Sequence, residues 1–347
     1  MLTVERLHKQ FPIAGSRKVV SAINDVSFSV APGETLGLVG ESGSGKTTVG
    51  RIVVGLIEPS SGTVRFNLPG DAHSNARPPK GKVQLVFQEP AESLDPRLRI
   101  GAIIGEPLQA LAVERSERRR RVRDAMGRVR LDPALLDAYP AELSAGQQQR
   151  IGVARAMITE PDLVVLDEPT SALDPTARAE IIDLLKSIQA ERKTAYLFIS
   201  HDLSTIRFIS HRVAVMYLGM IVEQGDAVTL FSKPRHPYSS GLLSSVLLPH
   251  PDLVMESSVS LKGEIPSPID LPRGCFLASR CPFVIDRCRS EMPPAEMVGP
   301  SHTVHCFRHD EIAATTPASK TFEAFVAESE CILRRPARQP IRFTPQP

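Results

Sequence analysis

"TLGLVGESGSGKTTVGRIVVGL", residues 35–56, decides the fold. TLGLV is an apolar run of strand length, and KTTVGRIVVGL spaces its apolar residues as a helix does. Between them lies GESGSGKT, Gly40 to Thr47. A strand, a glycine-rich turn and a helix, in that order, are the context a phosphate-binding loop requires. The glycines let backbone N–H groups turn toward one centre. The helix N-terminus adds partial positive charge, and Lys46 supplies a full one for the β- and γ-phosphates of a nucleotide. Thr47 offers its hydroxyl to Mg²⁺. Glu41, Ser42, Gly43, Ser44, Gly45 and Thr48 complete the candidate loop, and ATP with Mg²⁺ is the cofactor pair it implies.

Upstream, residues 2–40 alternate short apolar runs with a Pro-Gly turn at 32 and 33, the pattern of a small sheet feeding a core strand. Downstream, SSGTVRF reads as a strand and the polar stretch 68–82 as a loop. Helical spacing runs from about Ile100 to Met157. LVVLDEP and TAYLFISHDL read as two buried strands with TARAEIIDLLKSIQAER as the helix between them. Strand, helix, strand alternation implies an α/β fold with a parallel sheet covered by helices. After about Phe231 the pattern breaks into HPY, PHP, IPSP and LPRG, which predicts a domain boundary near residue 235.

The bulk numbers fit one large domain with an appendix. The chain has 347 residues, 42% of them hydrophobic, and 41 basic against 39 acidic groups for a formal +2. That balance gives no global sign of a nucleic-acid partner. The run ERSERRRRVR, residues 114–123, reads as a solvated helix face rather than a nucleic-acid contact. The start MLTVERLHKQF has no apolar core of a leader, and no stretch of eighteen apolar residues occurs, so a cytosolic chain is expected.

LVVLDE, Leu163 to Glu168, supplies the second half of a phosphate site. A carboxylate at the exit of a buried strand needs a cation or hydrogen bonds to compensate it, which makes Asp167 a candidate Mg²⁺ partner. Glu168 is then placed to orient a water for attack on the γ-phosphate.

Between those motifs, ELSAGQQQRIGVARAM, residues 142–157, resembles the signature of ABC ATPases. Gln88 in VFQEP, the segment Ser171 to Asp174 and His201 in FISHDL follow that family's order. FQEPAESLDPRLRIGAIIGEPL, HPYSSGLLSSV, LKGEIPSP and the GC, RCP and later cysteines narrow the resemblance to ATP-binding subunits of oligopeptide and dipeptide ABC importers. The resemblance implies a P-loop NTPase of ABC type: a parallel sheet core, an antiparallel β-subdomain and a helical subdomain over about 89–157. It places an ATPase domain at 1–235, a small irregular cysteine-containing C-terminal domain at 236–310, and a poorly ordered tail at 311–347. Residue by residue, it implies that Phe11 stacks on adenine and that Gln88 senses Mg²⁺ and water while facing the membrane subunit. Ser144 and Gly146 would close over the γ-phosphate held by a second ATPase subunit. Asp174 would contact that partner, and His201 would hold the γ-phosphate against Glu168. The implied setting is the cytoplasmic face of a bacterial inner membrane, with two permease subunits, a second ATPase subunit and, indirectly, a substrate-binding protein. Peptides are the implied cargo, with nickel, glutathione, opines or sugars as alternatives within the family and a translation or repair ATPase as the rival outside it.

Two features stand apart. Ala145 replaces the first glycine of the usual LSGGQ, and its Cβ penalises φ > 0 and very close backbone approach. The second is a group of four cysteines, Cys275, Cys281, Cys288 and Cys306, in a Pro/Gly-rich region, with Cys331 apart. A cytosolic compartment argues against disulfides. Spacing alone leaves zinc, aided by His302 or His305, an iron–sulfur group and unligated thiols all open. The resemblance implies a [4Fe–4S] cluster on the four cysteines.

Overall fold

The computed structural model describes residues 1–67, 74–75, 78–89, 93–244 and 259–315. Residues 316 onward of the predicted tail, Cys331, and residues 68–73 and 76–77 of the predicted loop at 68–82 lie outside the described residues.

Two sheets carry the architecture. The first is antiparallel, with order β2-β1-β4-β5, where β1 is Leu2–Pro12, β2 Val19–Val30, β4 Ser61–Phe66 and β5 Ser74–Asn75. It is the small sheet expected of the N-terminal segments. The second has eight strands: β3 (Thr35–Val39), β6 (Val83–Val86), β7 (Leu163–Asp167), β8 (Ala195–Ile199), β9 (Arg212–Tyr217), β10 (Met220–Asp226), β11 (Glu296–Gly299) and β12 (His302–Val304). Their order is β11-β12-β10-β9-β3-β8-β7-β6. β9, β3, β8, β7 and β6 are parallel neighbours, and β10, β12 and β11 are added antiparallel. Every residue of β3, β7 and β8 is buried, as the continuous apolar runs of a sheet covered on both faces demand.

Helices cover those faces: α1 (Lys46–Val53), α2 (Ile100–Ala110), α3 (Arg115–Arg128), α4 (Ala145–Met157), α5 (Pro175–Arg192) and α6 (Leu203–Ile209). α1 buries Val49, Ile52 and Val53 in one apolar cluster with β3, β7 and β8. α2, α3 and α4 share the other cluster through Ile103, Ile104, Leu108, Met126, Ile151 and Ala154. The arginine run lies on α3, which turns Val122, Ala125 and Met126 inward. On its outer side Arg120 pairs with Glu117 and Asp124, and Arg121 pairs with Glu117. That is the arrangement of a solvated face.

The sheet does not stop at residue 235. β12 pairs with β10 through Glu223↔Val304 and Gln224↔Thr303, so the cysteine-bearing region contributes two strands to the main sheet. A buried polar knot fixes the join. Glu223 is fully buried; its carboxylate accepts from the N–H groups of Arg235 at 2.7 Å and His236 at 3.0 Å, and lies 2.7 Å from His302 Nε2. Burial pushes His236 down to about 3, so the ring is neutral, and its Nδ1 accepts from the Tyr238 N–H at 3.1 Å.

Candidate functional site

β3 ends at Val39, and the chain turns through residues that only glycine allows. Gly40 has φ +154°, and a Cβ there would collide with the Met216 carbonyl on β9. Gly45 has φ +100°, and its Cβ would strike the Ala22 carbonyl. Gly43, at φ +78°, has nothing within 4 Å of where a Cβ would stand, so the loop's crest is open. The β9–β10 turn holds the loop from below: Gly219 N–H donates to the Ser44 carbonyl at 3.0 Å. Asn24 anchors that turn in turn, donating from Nδ2 to the Leu218 carbonyl at 2.8 Å.

Lys46 is 5% exposed and donates to the carbonyls of Gly40 at 2.8 Å and Glu41 at 2.9 Å, and to Ser44 Oγ at 3.3 Å. Burial lowers its pKa, while the carboxylates of Glu168, Asp167 and Glu41 pull it back up. Thr47 Oγ1 donates to Asp167 Oδ1 at 3.1 Å, joining the loop to the end of β7. Asp167 is 7% exposed, and burial raises its carboxyl above the usual range against the lowering effect of that hydrogen bond. A divalent cation on Thr47 and Asp167 would stabilise the anion that burial disfavours.

Glu168 follows with φ +47°, a backbone state that costs a non-glycine residue on the order of 1 kcal/mol or more. Its N–H is committed to the Ile199 carbonyl at 2.9 Å, which holds the turn. Its Oε2 lies 3.0 Å from His201 Nδ1 and accepts from Gln88 Nε2 at 3.4 Å. His201 is largely exposed, and Gln88 is exposed on the loop after β6. Lys46, Thr47, Gln88, Asp167, Glu168 and His201 therefore form one constellation although they span more than 150 positions. Thr48 is half-buried on α1, Ser42 is exposed, and Phe11 is half-buried near the end of β1 with Lys9 Nζ 4.9 Å from its ring centre.

Ser144, Gly146 and Asp174 belong to a different surface. They line a cleft of about 400 Å³ with Ala145 and Arg150. Ser144 caps α4, accepting from the Gln147 N–H at 3.3 Å, while Gln147 Oε1 accepts from the Ser144 N–H at 2.9 Å. Asp174 caps α5 through the N–H groups of Thr176 at 2.9 Å and Ala177 at 3.0 Å. Ala145 occupies the first helical position and is not among the residues with positive φ, so the substitution carries no backbone penalty within the chain. A Cβ on Gly146 would meet only Ala177, at an ordinary 3.5 Å. Among the described residues nothing requires the glycine.

The four cysteines converge. The Cys275 N–H donates to the Cys288 carbonyl at 2.8 Å, and the Arg308 N–H reaches Cys306 Sγ at 3.4 Å. Burial, then the neighbouring thiols, raise Cys275 and push Cys281 up to about 11 and Cys306 up to about 12. Four thiols are a suitable donor set for a metal–sulfur group. Even so, among the described residues no three His, Cys, Asp or Glu side chains stand as a metal would hold them. The described side chains therefore do not support the expected cluster. Of the histidines in the zinc alternative, His302 Nε2 is engaged by Glu223 and His305 Nδ1 lies 3.1 Å from the Pro293 carbonyl, and among the described residues neither joins a group that could hold a metal.

Among the described residues no helix is long and apolar enough to cross a membrane. Comparison with known proteins agrees with the geometry. Residues 23–171 match the family described as ABC transporter, and residues 222–288 match the oligopeptide/dipeptide transporter C-terminal region. A probable peptide ABC transporter ATP-binding protein of Sinorhizobium fredii is 44% identical over 315 residues, covering 88% of this chain and 89% of that protein. The oligopeptide transport ATP-binding protein OppF of Haemophilus influenzae is 40% identical over 321 residues, covering 89% and 97%. Among solved structures, a dimeric ATP-binding cassette in a post-hydrolysis state with ADP and Pi aligns at a TM-score of 0.58 and 26% identity, covering 65% of this chain and 99% of that one. The chain belongs to the ABC transporter ATP-binding family, in the group that carries the oligopeptide/dipeptide transporter C-terminal region.

Proposed function

We propose that this chain is the ATP-hydrolysing subunit of an importer for di- or oligopeptides, with Gly40 to Thr48 as its nucleotide loop. The observation that carries the reading is the single constellation in which Lys46, Thr47–Asp167 and the Gln88–Glu168–His201 group meet. Lys46 and the loop N–H groups bind the β- and γ-phosphates, with Phe11 against the adenine. Thr47, Asp167 and Gln88 would hold Mg²⁺, which when bound would supply positive charge to the phosphates. Glu168 orients the attacking water and accepts its proton, and His201 keeps Glu168 and the γ-phosphate in register. Peptide cargo is supported by the C-terminal region match and by the names of the relatives.

Ser144, Gly146 and Asp174 serve a second ATPase subunit. Their helix caps leave Ser144 and Asp174 exposed, and the room beside half-buried Gly146 is unused among the described residues. The permease pair docks at a cleft of about 800 Å³ lined by Phe87, Gln88, Leu98, Pro107, Arg155 and Asp167. Exposed Phe87 and Leu98 give that cleft an apolar rim, and Gln88 ties it to Glu168. The chain divides into an ATPase domain over 1–235, with its helical part at about 89–157, and a C-terminal domain over 236–310. It works peripherally at the cytoplasmic face of an inner membrane and does not use nucleic acid. A [4Fe–4S] cluster on Cys275, Cys281, Cys288 and Cys306 belongs to the same proposal on the chemistry of four neighbouring thiols alone; iron and sulfide analysis after anaerobic purification tests it.

The decisive experiment reconstitutes the chain with its permease and binding protein in vesicles and measures ATP hydrolysis and peptide uptake together. Hydrolysis stimulated by a peptide-loaded binding protein is the expected result. Hydrolysis that responds to nickel or sugar but not to peptide would reassign the cargo.

A further inference from the structure

Glu41, the second residue of the nucleotide loop, is gripped twice by residues that follow Phe231 in the chain. Its N–H donates to the hydroxyl of Tyr238 at 2.8 Å. Its carboxylate receives both arms of the Arg280 guanidinium, Nη1 to Oε2 at 3.0 Å and Nη2 to Oε1 at 3.1 Å. Tyr238 is fully buried, and the Arg280 side chain is 10% exposed. The two grips are themselves linked. The rings of Tyr217 and Tyr238 stand 4.6 Å apart, and Arg280 Nη1 donates to the Tyr217 hydroxyl at 3.4 Å.

The physical need for such a grip follows from what the loop does. A loop that aims most of its N–H groups at a phosphate has few left to hold its own shape, so bonds from outside contribute much of that shape. The Glu41 carbonyl is where that support enters the site: it accepts from Lys46 Nζ at 2.9 Å and from the Ser44 N–H at 3.2 Å. An exposed ion pair would contribute little, but a bidentate guanidinium–carboxylate pair shielded from water is strong and fixes orientation. HPY, residues 236–238, gains a role at the same time. His236 and Arg235 N–H groups anchor on Glu223, and the next turn delivers Tyr238 to the loop.

We propose that Arg280 is a positioning residue for nucleotide binding, acting through Glu41, with Tyr238 as its backbone counterpart. The proposal rests on the reading of Gly40 to Thr48 as the ATP loop. Arg280 holds Glu41 and Tyr217 rather than the Asp167–Glu168–His201 group, so it governs the affinity for ATP and not the hydrolytic step. The segment carrying Cys275 and Cys281 thereby sets the loop's posture from a distance of 239 residues in sequence.

The test measures ATP turnover of the assembled transporter against MgATP concentration, with the full-length chain carrying Arg280→Ala, Arg280→Lys, Glu41→Gln, or Arg280→Ala with Glu41→Gln. Arg280→Ala should raise KM about tenfold with kcat within about twofold, Arg280→Lys should recover part of the loss, and the double variant should be no worse than either single one. Tyr238→Phe removes a single hydroxyl; it should raise KM severalfold and keeps the question answerable if Arg280→Ala does not assemble. Unchanged KM in Arg280→Ala and Tyr238→Phe, a fall confined to kcat, or multiplicative losses in the double variant would overturn the positioning role. If the unmodified transporter neither binds nor hydrolyses ATP, the reading of the loop fails first and the role falls with it.

Discussion

The nucleotide-loop face and the Ser144–Asp174 face have opposite constructions. On the first, Thr47 is held by Asp167, Glu168 stands beside His201 and Glu41 is held by Arg280, all from far along the chain, while Lys46 bonds within its own loop. On the second, Ser144 bonds to Gln147 and Asp174 to Thr176 and Ala177, all within three residues. The first face buries Lys46 and Asp167, leaves Gln88 and His201 exposed, and is tied together by tertiary contacts. The second is locally capped, exposed and finished by nothing within the described residues. A residue whose demands are met by its own helix is free to serve a different molecule.

The strongest break of this contrast is Glu168→Gln, which should cut hydrolysis by about two to three orders of magnitude while ATP binding persists. Turnover in the assembled transporter, with nucleotide binding measured alongside, checks it; full turnover would remove Glu168 from the chemistry. Next is Gly146→Glu, which should lower hydrolysis by about ten- to a hundredfold in the assembly yet leave nucleotide binding by the separate chain unchanged, because only an outside molecule needs that space. A matching loss of binding by the separate chain would show that the two faces are not independent.

Asp167→Asn should abolish Mg²⁺-dependent hydrolysis and yet stabilise the nucleotide-free chain by about 1 kcal/mol, since burial disfavours the charge. The sign follows from the raised carboxyl pKa. The charge costs stability above the folded pKa, and that cost disappears as pH falls and the group keeps its proton, so the gain from Asn should shrink in acid. Chemical denaturation at two pH values measures it. Asp174→Ala should cost about 1 kcal/mol by removing the cap of α5, whereas Asp174→Ser keeps the cap. Loss of hydrolysis in the serine variant with stability retained would assign Asp174 a contact outside the chain. Ala145→Gly should do least, within about 1 kcal/mol and twofold in rate, because position 145 is already helical.

Much of the nucleotide face was legible in residues 35–56 and 163–168 because its parts are local: an apolar strand, a glycine turn, a helix start, an acid pair at a strand exit. The helix and strand order of the central sheet was legible for the same reason. The C-terminal strands were not. β11 has four residues and β12 three, too short for periodicity to speak, and they exist because β10 offers an edge. His302 looked like a possible ligand beside Cys306, and only the sheet join shows it bonded to buried Glu223. The capping role of Asp174 could have been found from Asp-Pro at the head of a helical run, a signal read instead as a motif shared with a family.

By itself the sequence determined that this chain carries a phosphate-loop motif, which residues are candidates for its cation and which family it resembles, since short motifs with fixed spacing carry that chemistry locally. Only the tertiary structure decided that Arg280 and Tyr238 hold the loop, that His201 stands beside Glu168, and that the cysteine-bearing region is part of the main sheet. Those contacts join residues 33 to 239 positions apart, and no local rule constrains such pairs until burial and strand pairing bring them together.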